Sequence, residues 1–297
     1  MKNYLSLIKF SHTIFALPFA LIGFFLAVTT VPSVITKAEM EVSGITEWNI
    51  IIFPGSFILI KLILVLLSMI FARSAAMAFN RYIDRDIDKA NERTATVREI
   101  PNGTIKPKSA LLFVIVNCVL FIATTYFINP LCFYLSPIAL LVVLGYSLTK
   151  RFTALCHLVL GIGLSLAPIG AYLPLFFSFA VLFWVSGFDI IYALQDEEFD
   201  KQQKLHSIPV LLGTKNALML SNFLHVLTAS FILFAGYYGE LSLIYWIGSG
   251  IFISLLFYQH ILVKPNDLSK VNLAFFTTNG IASVVFSIFV LLDLFIN

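Results

Sequence analysis

Charge is what this sequence is short of. Only 12% of its 297 residues are Asp, Glu, Lys or Arg, about half the share found in ordinary soluble domains. That excludes a conventional water-soluble globule. The net charge of +3 is too small to mark a basic footprint, so no nucleic-acid partner is expected. Cysteine is scarce as well. Cys118, Cys132 and Cys156 are odd in number, sit in apolar runs and lack metal-ligand spacing. A disulfide framework or zinc site is therefore excluded, and the three read as small buried hydrophobes.

Apolar length takes the place of charge. Hydrophobic residues make up 59% of the chain, and 30 of them are Phe. A membrane-crossing helix needs about 20 mostly apolar residues. Nine runs qualify, at roughly 12–31, 57–80, 109–128, 131–149, 153–172, 174–193, 210–236, 241–263 and 270–293. The chain reads as all-α, a polytopic bundle of about nine transmembrane helices in a lipid bilayer. The first run, behind Lys2 and Lys9, has the outline of a signal peptide. With so many spans following, it reads as a retained first helix. The joints at 128–131 and 172–174 are narrow, broken by "NP" and "YLP".

Charge placement orients the bundle. With the N-terminus inside, the inner segments are 1–11, 81–108, 150–152, 194–209 and 264–269. Of 19 Lys and Arg, Lys37 falls outside, and Lys61 and Arg73 fall within the second span. The other 16 lie in the inner segments or at helix ends bordering them. This follows the positive-inside rule. It predicts a multi-pass protein of the bacterial cytoplasmic (inner) membrane, N-terminus cytoplasmic and C-terminus outside. No linker divides the chain, so one domain over 1–297 is expected. The second and sixth spans both end inside in an acidic cluster, each followed by an "IP" step, "REIPNGTIK" at 98–106 and "HSIPVLLGTK" at 206–215. This suggests two related halves whose motif loops, 81–108 and 194–209, face one site.

The first cluster is "NRYIDRDIDKANERT", residues 80–94. If the helix continues, Asn80, Asp84 and Asp88 lie at i, i+4 and i+8 on one face, while Asp86 points elsewhere. The second is "DIIYALQDEEFDKQ". Asp189, Tyr192, Asp196 and Asp200 share a face at i, i+3, i+7 and i+11, and Glu197 and Glu198 fall off it. Carboxylates gathered on one face repel each other and lose solvation near a membrane. Ion pairs with Arg81, Arg85 and Lys201 are one way to hold them. Two clusters at equivalent helix ends favour shared divalent cations, and oxygen-only ligands suit Mg²⁺ completed by substrate phosphates.

Basic residues extend the argument. Arg73 lies seven residues before Asn80 on the same face, deep in an apolar run, where a charge usually faces a cavity. Lys150 and Arg151 end the fourth span, and Arg93, Arg98 and Lys106 follow in the loop after the second. Acid-bound metal ringed by Lys and Arg suits a pyrophosphate. Beside an apolar cavity, that implies a lipid diphosphate. Metal and cations would neutralise the departing pyrophosphate, and Tyr146 or Tyr192 could face the allylic cation left behind, in a cavity that excludes water.

These residues resemble the UbiA superfamily of intramembrane aromatic prenyltransferases over essentially the whole chain. "NRYIDRDID" is similar to its Asn-x-x-x-Asp-x-x-x-Asp motif and "QDEEFD" to its Asp-x-x-x-Asp motif; "YSLTKR" at 146–151 and "HSIP" at 206–209 also match. The resemblance implies a nine-helix bundle with a site opening laterally to lipid, and two Mg²⁺ ions carrying a polyprenyl diphosphate. By motif match, Asn80, Asp84, Asp88, Asp196 and Asp200 become the catalytic, metal-binding set. Arg73, Lys150 and Arg151 become diphosphate contacts, Tyr146 a pocket residue, and Asp189 and Tyr192 further substrate contacts. Arg81 departs from the pattern, since many members have Asp there. "KFSHTIFALPFAL" looks like the 4-hydroxybenzoate polyprenyltransferase branch and its menaquinone relatives. The implied activity is prenyl transfer to the ring carbon of a small aromatic acid in ubiquinone or menaquinone synthesis. The acceptor is a hydroxybenzoate or, alternatively, a dihydroxynaphthoate.

An ion-coupled transporter is the competing class. Transporter sites lie near the bilayer midplane at broken helices, whereas these acids cluster at inner helix ends. A cation channel fits less well, because the acids form no evident ring. His12 reads as a helix-end residue, and His157, His225 and His260 as packing residues. His206 reads equally as lining the site or not. "PNG" at 101–103 reads as a turn in a loop long enough to cover the site. Prenyl length and oligomeric state leave no mark in the sequence.

Overall fold

The computed structural model describes residues 2–9, 15–30, 55–166 and 172–296; His12 and Lys37 lie outside them. A short N-terminal helix, α1 (Lys2–Leu7), precedes α2 (Leu17–Thr30). Next come α3 (Gly55–Ile83) and two short helices of the first motif loop, α4 (Arg85–Ala90) and α5 (Glu92–Ala95). Then follow α6 (Pro107–Ile128), α7 (Pro130–Thr149), α8 (Cys156–Ser165) and α9 (Tyr172–Ala193). A 3₁₀ turn (Leu194–Asp196) leads into α10 (Glu197–Gln202). The chain closes with α11 (Ile208–Tyr238), α12 (Leu243–Leu262), a π-helical turn (Leu273–Thr278) and α13 (Asn279–Ile296).

Among the described residues, seven helices are long and apolar enough to cross a membrane. The shorter apolar helices α2 and α8 stand where the first and fifth spans are expected. Seven membrane-length helices and two shorter apolar ones among the described residues agree roughly with the nine expected spans. The "NP" joint is a true break: Pro130 opens α7, and the Asn129 side chain accepts from the Cys132 N–H at 2.7 Å. The fifth span needs correction. The described helix begins at Cys156 rather than 153 and ends at Ser165, residues 167–171 lie outside the described residues, and Tyr172 already belongs to α9. The expected break at 172–174 is absent, since Tyr172, Leu173 and Pro174 are all helical.

Main helix contacts run between α9 and α11, α9 and α8, α3 and α6, and α12 and α13. One core is aromatic: Phe19, Trp184, Tyr245, Phe252 and Phe286 are fully buried, with Trp184 and Phe188 at 5.1 Å between centroids and Phe252 and Phe286 at the same separation. Large apolar side chains such as Leu141, Ile261 and Phe234 are exposed, as a lipid-facing surface requires. Lys61 has a local purpose. Its ammonium donates to the Phe127 carbonyl at 2.8 Å and to the Ile128 carbonyl, closing the C-terminal end of α6.

Two local distortions bear on the site. Asp84 leaves helical geometry (φ −88°, ψ 4°), separating α3 from α4. The four-residue backbone bonds Asp84 N–H to Asn80 O (2.9 Å) and Asp88 N–H to Asp84 O (2.7 Å) nevertheless persist. The helix therefore kinks rather than running straight, yet Asp84 and Asp88 keep one inward face. In α11, Gly213 adopts φ +74°, a conformation favourable only without a Cβ.

Candidate active site

The first motif ends α3. Asp84 is 1% exposed and Asp88 3%, whereas the Asp86 side chain is 84% exposed. Helical phase separates these acids as expected. Asn80 Nδ2 donates to Asp84 Oδ2 at 3.2 Å. Lys150 Nζ lies 2.7 Å from the same oxygen, and Arg151 Nη2 donates to Asp84 Oδ1 at 3.1 Å and to the Ile83 carbonyl at 2.9 Å. Asp88 pairs with Arg98.

The second motif leaves α9. Tyr146, Lys150, Asp189, Tyr192, Asp196 and Asp200 line one cavity of about 150 Å³, with Asn80 on its wall. The four second-motif residues keep one face although the helix tightens to 3₁₀ at 194–196. The first motif loop folds over them. Asn91 Nδ2 and Arg93 Nε donate to Asp196 Oδ1 at 3.1 and 3.0 Å, and Arg93 Nη2 pairs with Oδ2. Arg93 Nη1 reaches the Tyr192 hydroxyl at 3.3 Å, with the guanidinium 5.5 Å from that ring's centroid. Burial works against the Arg93 charge, but the Tyr192 and Asp196 contacts outweigh it and raise its pKa above the ordinary value. "PNG" is a turn, with Gly103 at φ +80°.

The pairings differ from the simplest ion-pair expectation. Arg85 pairs with exposed Asp86, and Lys201 with Glu197 and Glu198, all off the cavity. Arg81 is buried, and its Nε has no hydrogen-bond partner among the described residues. Arg73 is half-buried two turns before Asn80 and does not line the cavity. Glu198 is exposed, but Glu197 is buried and accepts from Thr214 at 2.6 Å, tying the second motif to the kinked start of α11.

Among the described residues, no three His, Cys, Asp or Glu side chains converge tightly enough to hold a metal by themselves. The donors are nonetheless of the right kind for Mg²⁺. They are carboxylates and one amide, and Asp88 Oδ2 is buried without a hydrogen-bond partner among the described residues. A Mg²⁺ site of one or two carboxylates completed by phosphate oxygens fits that set.

Tyr192 also borders a wider cavity of about 560 Å³, lined by Lys9, Asn272, Phe275 and Phe276. Its ring lies 4.3 Å from that of Phe275 between centroids.

The UbiA prenyltransferase family model matches residues 50–281. The chain belongs to this family. It is a prenyltransferase and a multi-pass integral membrane protein. The 4-hydroxybenzoate octaprenyltransferase of Aeromonas hydrophila subsp. hydrophila is 31% identical over 225 residues, covering 72% of this chain and 77% of that protein. The apo UbiA homolog from Aeropyrum pernix K1 superposes with a TM-score of 0.78 at 26% identity, over 95% of this chain and 98% of that one. A UbiA homolog from Archaeoglobus fulgidus, solved with DMAPP and Mg²⁺, shares the fold at a TM-score of 0.72 and 22% identity, over 98% of this chain and 99% of that one.

Five residues that sequence reasoning did not place in the site also line this prenyltransferase's smaller cavity: Ser147, Cys156, His157, Ala193 and Ser207. His157 is not mere packing. Its Nδ1 lies 2.7 Å from Asp189 Oδ2, and its Nε2 accepts from the Ile208 N–H at 3.3 Å. His225 and His260, also read as packing, pair with each other at 2.8 Å. His206 is exposed and absent from the cavity wall; its backbone N–H donates to the Lys150 carbonyl. Nothing in an apolar run marks such partners, because they come from distant helices.

Proposed function

We propose that the protein transfers a polyprenyl group from an allylic prenyl diphosphate to a ring carbon of 4-hydroxybenzoate in respiratory quinone synthesis. The observation carrying this reading is the single cavity joining Asn80, Asp196 and Asp200 with Lys150, Tyr146 and Tyr192. The name of the Aeromonas relative supports the acceptor, and the Archaeoglobus neighbour, bound to DMAPP and Mg²⁺, supports the donor and the metal. Asn80, Asp84, Asp88, Asp196 and Asp200 would hold two Mg²⁺ ions with the diphosphate. Mg²⁺, when bound, supplies Lewis-acid neutralisation of the leaving group. Lys150 and Arg151 sit against Asp84 and would turn to the diphosphate oxygens, with Arg73 and Arg93 adding positive potential. Tyr146 and Tyr192 would face the allylic carbon as charge develops there. Phe275 and Phe276 offer an apolar wall to the prenyl chain.

The concentration of Lys and Arg on one side of the bundle supports a cytoplasmic mouth, a cytoplasmic N-terminus and residence in the bacterial inner membrane. The short repeat around the two motifs supports a single domain of two related halves. Purified protein with Mg²⁺, a polyprenyl diphosphate and 4-hydroxybenzoate, 1,4-dihydroxy-2-naphthoate or 1,4-dihydroxy-6-naphthoate tests the proposal. Prenylated hydroxybenzoate is the expected product. Transfer only to a naphthoate would move the acceptor, and pyrophosphate release indifferent to all three would end the aromatic reading.

A further inference from the structure

Three acidic residues of the two motifs are engaged by cations: Asp84 by Lys150 and Arg151, Asp88 by Arg98, and Asp196 by Arg93. Asp189 differs. It lines the cavity that Asp196 and Asp200 also line, its side chain is 24% exposed, and its one hydrogen-bond partner among the described residues is His157. His157 is 5% exposed, and its orientation follows from its other contact. Because Nε2 accepts the Ile208 N–H, Nδ1 carries the ring hydrogen and donates it to Asp189 Oδ2. A backbone amide thus sets the tautomer, and the imidazole sets the carboxylate. Among the described residues, no Lys or Arg pairs with Asp189, which leaves Oδ1 free of a competing cation there.

Depth adds a second argument. Asp189 precedes Asp196 by seven residues on one helical face, about 10 Å along the axis. A diphosphate gathered at Asp196 and Asp200 leaves Asp189 farther into the membrane, level with the carbon chain rather than the phosphates. Tyr146 and Tyr192 border the same space.

We infer that Asp189 is the proton acceptor of the transfer reaction and that His157 is the positioning residue that aims it. The inference rests on the aromatic-acceptor reading above. The allylic C–O bond breaks and its electron pair leaves with the diphosphate. A π pair of the acceptor ring forms the new C–C bond at the carbon ortho to the hydroxyl. The C–H bond at that carbon then breaks, its electrons restore the aromatic ring, and the proton passes to Asp189 Oδ1. Protonated Asp189 returns the proton to water. His157 keeps its Nδ1–H on Oδ2 throughout.

The test compares wild type with Asp189→Asn, His157→Leu and His157→Gln, using 4-hydroxybenzoate protiated or deuterated at both positions ortho to the hydroxyl. Binding of a non-reactive prenyl thiodiphosphate with Mg²⁺ is measured alongside. Asp189→Asn should lower the prenylated product on the order of a hundredfold or more while thiodiphosphate affinity stays within about threefold, well under the tenfold that 1.4 kcal/mol represents. His157→Leu should lower kcat about tenfold, as loss of an orienting partner does, with KM unchanged. His157→Gln, which keeps an N–H donor, should recover most of that loss. A normal primary isotope effect, absent in wild type, should emerge in Asp189→Asn and His157→Leu as proton loss becomes limiting. The inference is overturned if affinity falls in step with product, if no isotope effect emerges, or if Gln rescues nothing. Wild-type protein that prenylates none of the aromatic acids overturns the proposed function itself, a result separate from any behaviour of the variants.

Discussion

Lys150 Nζ lies 2.7 Å from Oδ2 of Asp84, a carboxylate whose side chain is 1% exposed. One contact joins the end of α7 to the end of α3. It also places a cation of the "YSLTKR" stretch against the central acid of the first motif. Lys150 and Arg151 remain 28% and 39% exposed, so water can solvate them if the carboxylate is lost. Asp84→Asn should therefore leave the protein folded in detergent while lowering prenyl transfer on the order of a hundredfold. Turnover at matched expression, with thermal unfolding alongside, checks both halves. Unchanged turnover would remove Asp84 from the metal and diphosphate set.

Asp86 is the internal control. It stands two residues from Asp84 and Asp88, but its side chain is 84% exposed and pairs only loosely with Arg85 at 3.7 Å. Surface pairs of this kind contribute about 0–1 kcal/mol. Asp86→Asn should hold turnover within about twofold, under the tenfold that 1.4 kcal/mol represents. A loss matching that of Asp84→Asn would mean that general acidity of the loop, not helical phase, governs the site.

Metal removal gives a third expectation. Chelation should abolish transfer, and Mg²⁺ should restore it. A reaction-independent readout is available too, because a ligand that binds only the folded state adds about 2.7 kcal/mol at a hundredfold excess over its Kd. Mg²⁺ with a prenyl thiodiphosphate should raise the unfolding temperature more than the sum of either alone. Additive shifts would argue against phosphates completing the metal's coordination.

Gly161 tests the scaffold behind the site. A Cβ there would meet Ser186 Oγ at 2.4 Å and the Leu182 carbonyl oxygen at 2.5 Å. The carbonyl is helix backbone and cannot step aside, and small residues are what let membrane helices approach this closely. Gly161→Ala should destabilise the protein by about 1–3 kcal/mol, read as a lower unfolding temperature in detergent. Since α8 also carries His157, turnover should fall as well. Gly145 has open space around its Cβ position, and Gly145→Ala should leave stability nearly unchanged.

Much of this protein was legible before folding. Apolar length sets the span count, because the bilayer core has a fixed thickness. Charge scarcity made the clusters conspicuous. Helical phase separated Asp84 and Asp88 from Asp86, since side chains four apart share a face whatever the helix packs against. The kink at Asp84 did not spoil that phase, because the turns on either side kept their backbone bonds, and past the 3₁₀ turn at 194–196 Asp189, Tyr192, Asp196 and Asp200 still line one cavity.

What only the tertiary structure decided is which partners those faces meet. Lys150 reaching Asp84, Arg93 reaching Asp196 across 103 residues and His157 turning Asp189 all join helices distant in sequence. No local period encodes such contacts. His157 shows the limit plainly: within "ALCHLVLG" it looks like any polar residue tolerated in an apolar run. Its role depends on where α8 lies against α9 and α11, a matter of packing rather than periodicity.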